Sequence, residues 1–251
     1  ADMERFAEAH GKTPLRTTDS PGFVVNRFFV PWLNEAVRLL EDGVADIPSI
    51  EAAAKAAFGI GMGPFQLMNV TGIPVAFHAA STLGTELGPF YEPADRLRDQ
   101  TSCGELWELD GEVDEGCAQE VRERLLATVF TVAGALVDEG VCSKEDVDRG
   151  ARIGLRWAQG PFELMNREGI ENSRALCSKL QEIHDDLSIP ESIASQASAG
   201  SPWAFRRVDL EVEDGIARVT INRPEVLNAL DEEVVEQLAA RFEEALATPG
   251  L

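Results

Sequence analysis

The sequence predicts a mainly α-helical protein in which one helical unit occurs twice, followed by a β-hairpin and a helix of separate character. Three observations predict this. First, Gly-Pro-Phe-Gln-Leu-Met-Asn at 63–69 returns as Gly-Pro-Phe-Glu-Leu-Met-Asn at 160–166, 97 residues on from Pro64 to Pro161. The offset persists outward: Asp42-Gly43-Val44 answers Glu139-Gly140-Val141, and Gly72-Ile73 answers Gly169-Ile170. An offset held over about forty residues marks one supersecondary unit built twice. Second, each copy reads as a long helix, a helix and a short helix, with more helix behind. Third, from residue 208 the apolar period changes to two, the period of a half-buried strand.

In chain order, residues 1–11 read as the end of a helix that stops near Gly11, and Thr13 to Asp19 as a short strand. Ser20 as N-cap and Pro21 at the first helical position open the next helix. Phe23 to Leu40 is apolar almost all round and should be buried. Pro31 lacks an N–H and clashes with the Arg27 carbonyl, which predicts a kink. Gly43 ends this helix. Asp46 and Pro48 start another that runs through an alanine-rich stretch to Phe58, and Ser143 to Asp146 start its counterpart with a capping-box pattern. Pro64 and Pro161 each begin a short helix, and Thr71 to Leu87 reads as a further one.

The acidic, glycine-containing stretch 103–120 reads as a solvated connector, and 188–204, rich in Ser, Ala, Gly and Pro, as a mobile linker. Val208, Leu210 and Val212 alternate with charged residues, Asp214-Gly215 is a hairpin turn, and Ala217, Val219 and Ile221 alternate on the return. Asp231 to Ala247 is an amphipathic helix whose acidic start suits the positive end of its dipole. A hairpin and one helix are too little for an independent core, so the chain is expected to be a piece of something larger.

Composition narrows the function. At 44% hydrophobic the chain can bury a core. It has no run of 18 apolar residues, so no membrane span is expected, and no signal-peptide stretch. The net charge is −22, with only four lysines (Lys12, Lys55, Lys144, Lys179) among 22 cations. That balance argues against nucleic acid as a partner. Acid-rich, lysine-poor surfaces stay hydrated in concentrated salt, where self-repulsion is screened. A salt-loving source is the hypothesis, with an ordinary acidic cytosolic protein as the alternative. Stability that fails to rise from low to molar salt counts against the first. Cys103, Cys117, Cys142 and Cys177 form no C-x-x-C pair, so no metal is expected, and free thiols point to the cytoplasm.

Four phrases of the first copy stand out: Gly11-Lys12-Thr13-Pro14, Asp19-Ser20-Pro21-Gly22-Phe23-Val24-Val25-Asn26-Arg27, Asn34-Glu35-Ala36 and Gly61-Met62-Gly63-Pro64-Phe65. Together they resemble the C-terminal domain of the 3-hydroxyacyl-CoA dehydrogenase family. The second copy, about 120–185, matches the later part of that pattern. Val219-Thr220-Ile221-Asn222-Arg223-Pro224 and Leu227-Asn228-Ala229-Leu230 resemble the start of an enoyl-CoA hydratase (crotonase) domain. Together they look like the middle of a bifunctional β-oxidation protein. The resemblance implies five segments: 1–19, the last helix and strand of an NAD-binding Rossmann domain; 20–110, the first helical domain; 111–190, the second; 191–207, a linker; 208–251, the start of the hydratase.

The same resemblance implies an oxidoreductase that oxidises an L-3-hydroxyacyl-CoA with NAD, and a fragment inactive by itself, since the catalytic histidine and glutamates would lie elsewhere. His10, His78 and His184 fall outside the family's catalytic motif, and His78, among apolar neighbours on a helix, reads as a core histidine. Asn26 is the one site residue carried over, as the asparagine near catalytic histidine and substrate. A carboxamide donates and accepts while staying neutral, so it can orient a histidine or a substrate oxygen. The alternative is a buried Asn serving a helix–helix contact near Pro31. By the offset, Asn26 corresponds to Glu123, so the second copy carries no second dehydrogenase site. It would instead replace a partner subunit, the copies forming an intrachain pseudo-dimer; a homodimer of the whole is also allowed. Two further functions stay open: a purely structural association module, and a dehydrogenase of non-CoA hydroxy acids.

Overall fold

A computed structural model describes residues 2–248. They form two compact units, residues 15–203 and residues 2–14 with 204–248. The larger unit is helical: α2 (Val25–Glu41), α3 (Ile47–Phe58), α4 (Pro64–Thr71), α5 (Ile73–Leu87) and α6 (Asp95–Cys103), then α7 (Ala118–Asp138), α8 (Lys144–Arg149), α9 (Pro161–Glu168), α10 (Ile170–Ile183) and α11 (Glu191–Ala199). The smaller holds α1 (Asp2–Ala9), the antiparallel pair β1 (Val208–Glu213) and β2 (Ile216–Ile221), and α12 (Glu232–Ala247).

The repeated phrase is a folding device, and most of its residues have a task. Glu51 of α3 turns its carboxylate onto the start of α4 and accepts from the N–H groups of Gly63 (3.1 Å), Phe65 (2.7 Å) and Gln66 (3.1 Å). Asp148 of α8, 97 residues later, accepts from Phe162 (2.8 Å) and Glu163 (3.0 Å). A carboxylate there satisfies donors that a helix start leaves without partners. The glycine is required because the acid fills its side-chain space: a Cβ on Gly63 would stand 2.5 Å from Glu51 Oε2, and one on Gly160 would collide with the Cα and Cβ of Asp148. Pro64 and Pro161 sit at the first helical position, where the missing N–H costs nothing.

The rest of the phrase clamps a tryptophan. Asn69 donates to the Trp107 carbonyl and accepts from the Trp107 N–H, both at 2.9 Å. Asn166 does the same to Trp203 at 2.9 and 2.7 Å. Phe65 meets the Trp107 ring edge-on at 5.1 Å, and Phe162 meets Trp203 at 5.0 Å. Met68 and Met165 are fully buried beneath.

Helix α2 lies against α7, and α7 also packs on α3 and α10. Phe28 and Trp32 of α2, Phe58 of α3 and Trp157 form an aromatic cluster, with Phe58 and Trp157 centroids 4.5 Å apart. Phe28, Trp32 and Phe58 are all fully buried. Large aromatic rings bury the most area per residue, so this cluster anchors the helices to each other.

Four expectations are corrected. Residues 13–19 form no strand: Thr18 donates one backbone bond to Val141, and one bond is not a ladder. Helix α2 begins at Val25 rather than at Pro21, because Gly22 (φ 75°) and Phe23 (φ 50°) turn left-handed and Phe23 N–H closes a turn onto Ser20. Pro31 lies inside it. The segment assigned as linker, 191–207, holds α11, whose Ile193 is fully buried and whose Ser192 N–H bonds Asp138. It is the counterpart of α6: Gly104 and Gly200 both end their helices left-handed, each three residues before its clamped tryptophan. His78 is exposed, because it falls on the outer face of α5 while Ala76 and Ala80 face inward.

In the smaller unit the register pairs Val208 with Ile221 and Glu213 with Ile216 across the Asp214-Gly215 turn, whose φ angles of 51° and 77° suit a two-residue hairpin. Asp231 caps α12 by accepting from Val234 N–H at 3.0 Å.

Candidate functional site

Asn26 stands on the first turn of α2, exposed, and its side chain makes no hydrogen bond among the described residues. A buried Asn spent on helix packing is therefore not what the structure has. Phe23, one turn earlier, is 57% exposed and held at φ 50°. A left-handed conformation is uncommon for an aromatic residue, and its cost recurs at ligand-contacting positions. Behind this turn the π-helical segment Gly150–Gly154 comes close: a Cβ on Gly150 would lie 2.9 Å from Val25 Cγ2 and 3.3 Å from Leu15 Cδ1. The sequence reading had no part for Gly150; the only signal was a glycine at each end of that segment.

The residue after Asn26 points the other way. Arg27 is buried and donates to Ser20 Oγ (2.9 Å), to the Tyr91 hydroxyl (3.3 Å) and to both Glu139 oxygens (2.7 and 2.8 Å). Burial disfavours its charge, but Tyr91 and Glu139 outweigh that and raise its pKa. Its counterpart Arg124 meets Asp42 at 2.6 Å, and Asp42 is the counterpart of Glu139. The two pairs are reciprocal: each arginine reaches the carboxylate at the far end of the other long helix. Exchange of this kind is what a two-fold relation between like surfaces produces.

Arg124 has a second partner that Arg27 lacks. Glu35, fully buried on α2, accepts from Arg124 Nε at 2.5 Å and Arg38 Nη1 at 3.1 Å, and lies 3.2 Å from His184 Nε2. Burial pushes the Glu35 carboxyl up, but the His184 hydrogen bond and the two guanidinium charges bring it down to about 2. Glu123, in Asn26's place, is held by Lys179 at 2.7 Å and by Gln119 at 2.7 Å; the Lys179 bond lowers its pKa first. So the position exposed and unpartnered in one half is ion-paired in the other.

The described residues do not fit a dinucleotide. Gly59 to Gly63 follows α3 instead of a strand, and the described strands are the hairpin alone. They hold no cluster of three metal-ligating side chains and no helix long and apolar enough to cross a membrane. The four cysteines are unpaired, and burial pushes Cys142 up to about 12 and Cys177 up to about 11.

The family model described as "3-hydroxyacyl-CoA dehydrogenase, C-terminal domain" matches twice, over residues 22–111 and 121–203. The chain belongs to this family. Curated relatives agree. The "Fatty acid oxidation complex subunit alpha" of Idiomarina loihiensis is 30% identical over 230 residues, which is 80% of this chain and 32% of that protein. The human mitochondrial "Hydroxyacyl-coenzyme A dehydrogenase" is 47% identical over 68 residues, 27% of this chain and 22% of that one. A "Probable 3-hydroxybutyryl-CoA dehydrogenase" of Deinococcus radiodurans is 37% identical over 107 residues, 42% of this chain and 38% of its own. The chain thus spans between a fifth and two fifths of the length of these relatives. Among solved structures, a 3-hydroxybutyryl-CoA dehydrogenase of Escherichia coli shares the fold, with a TM-score of 0.69 at 17% identity over 79% of this chain and 64% of that one.

Proposed function

We propose that the chain is the helical, substrate-facing part of an NAD-dependent L-3-hydroxyacyl-CoA dehydrogenase of fatty-acid β-oxidation, joined to the start of an enoyl-CoA hydratase. The observation that carries this is Asn26, exposed on the first turn of α2 in a chain of this family, with no hydrogen-bond partner among the described residues to explain it. NAD would supply the hydride acceptor from elsewhere in the enzyme, and no described residue here takes part in holding it. Asn26 would orient the substrate oxygen or the catalytic histidine by donating and accepting without adding charge. Phe23 and Val25 shape the turn that carries it.

The second half, in this proposal, substitutes for a partner subunit, and the pair forms an intrachain pseudo-dimer with residues 20–110 and a second copy beginning near 111. The reciprocal Arg27–Glu139 and Arg124–Asp42 pairs support it, as does the α2–α7 contact. A tandem arrangement raises the effective concentration of the partner surface. The isolated chain would be inactive, and its charge of −22 would suit a cytoplasm rich in salt.

Asn26→Ala in the full-length protein tests the site. Dehydrogenase kcat should fall about 10- to 100-fold, the range expected when a positioning group is lost, while the melting temperature stays put. Unchanged turnover would leave Asn26 a surface residue and favour the association module.

A further inference from the structure

A cavity of about 290 Å³ opens between α7 and α10. Ala127, Leu176 and Leu180, all buried, form its floor, and half-exposed Ile183 stands at its mouth with Lys179 and Glu120. The repeat accounts for its existence. The corresponding groove of the first half lies between α2 and α5, and there the chain closes it: the turn before α2 sits so near that a Cβ on Gly22 would lie 3.0 Å from Leu83 Cδ2. Leu180 is the counterpart of Leu83. The second half has no such turn, because α7 begins at Ala118, four residues earlier in the repeat than α2 does at Val25. Two exchanges widen the space and make it greasier: Val30 becomes Ala127, and Glu86 becomes Ile183.

We propose that this cavity binds the unbranched acyl tail of a thioester whose head is uncharged at the mouth. Its volume lies at the small end of ligand pockets, about 300–1,000 Å³, which suits a short to medium chain. The rim selects the head. Lys179 is held by Glu123 at 2.7 Å, and Arg124 by Glu35 at 2.5 Å and Asp42 at 2.6 Å. Each cation already has a carboxylate, and Glu120 adds another negative charge. A free fatty acid would bring its own carboxylate into that ring; a thioester carbonyl would not. The substrate class rests on the dehydrogenase proposal above; the cavity itself does not.

The test is calorimetric titration of the 251-residue chain with the octanoyl thioester of N-acetylcysteamine and, separately, with octanoate. The two ligands share a tail and differ in the head. The thioester should bind saturably, one per chain, at least tenfold tighter than octanoate. Ile183→Glu and Ala127→Val, which restore the first half's residues, should each weaken it at least fivefold. Ile183 is exposed, so its variant reports even where the Ala127 change disturbs folding. Asn26→Ala should leave this binding unchanged. Absent saturation, octanoate binding as tightly, no effect of Ile183→Glu, or weakening by Asn26→Ala would each overturn the proposal. Turnover of the full-length Asn26 variant is read independently, so failure here and failure of the dehydrogenase proposal are separable.

Discussion

Arg27 and Arg124 occupy the same place in the repeat, yet they live in different surroundings. Each crosses to the carboxylate at the end of the opposite long helix. Only Arg124 also reaches a fully buried carboxylate, Glu35, which binds Arg38 and His184 as well. The counterpart of that acid is Val132, and Arg27 leans on Tyr91 and Ser20 instead. The contrast shows what the two halves share and what they do not. The clamp between the long helices is present twice; the positions beside it diverged, one toward an exposed amide and the other toward a buried ionic hub.

The hub offers the largest break. Glu35→Gln leaves two guanidinium groups facing a neutral amide, and removing one member of a buried ion network costs about 3–5 kcal/mol. Denaturant unfolding of the 251-residue chain should show a loss of that order. The same residue predicts the acid limb of stability. Its folded carboxyl titrates at about 2, below the usual carboxylate range. Its contribution is therefore complete above that usual range and disappears as pH falls to about 2. In Glu35→Gln this part of the pH dependence should flatten; an unchanged acid limb would assign it to other carboxylates.

Next comes the capping device. Gly160→Ala forces a methyl against the Asp148 backbone and should cost about 2–3 kcal/mol, as overpacking does. Gly61→Ala, where a Cβ meets nothing within 4 Å, serves as the comparison and should stay within about 0.5 kcal/mol. Equal effects would mean that backbone freedom, not the neighbouring carboxylate, explains the glycine.

The smallest effect tests the reciprocity itself. Glu139 and Asp42 are nearly half exposed, at 46% and 47%. Solvent discounts such pairs, so double-mutant cycles on Arg27–Glu139 and Arg124–Asp42 should each give about 0.5–1 kcal/mol. A coupling in one pair with none in the other would break the proposed two-fold relation.

Much of the fold was legible because its signals were local. Asp46, Pro48 and Ser143 announce helix starts, and Asp214-Gly215 announces the hairpin. The misses came where a distant partner decides. Residues 191–199 look like a linker by composition, but Ile193 fills the space beside Gly134 on α7, where a Cβ would lie 2.9 Å from Ile193 Cδ1. The spacing from Gly104 to Trp107, repeated from Gly200 to Trp203, was the available clue. At the site, the exposure of Asn26 followed from neither composition nor periodicity. It depends on the left-handed turn at Gly22 and Phe23, which delays α2 by a turn. Nor could Glu35, His184 and Arg124 be brought together from sequence, since 149 positions separate the first two.

Trp203 has a mechanical meaning. Asn166 grips it by both its N–H and its C=O, so the helical unit ends at a fastened link. Tension applied to the chain beyond it would load α9 through Asn166 before it could peel α11 away. The bond pair behaves as a strain relief at a cable's exit: a pull from beyond residue 203 is taken up at the clamp, and the helices behind it keep their places.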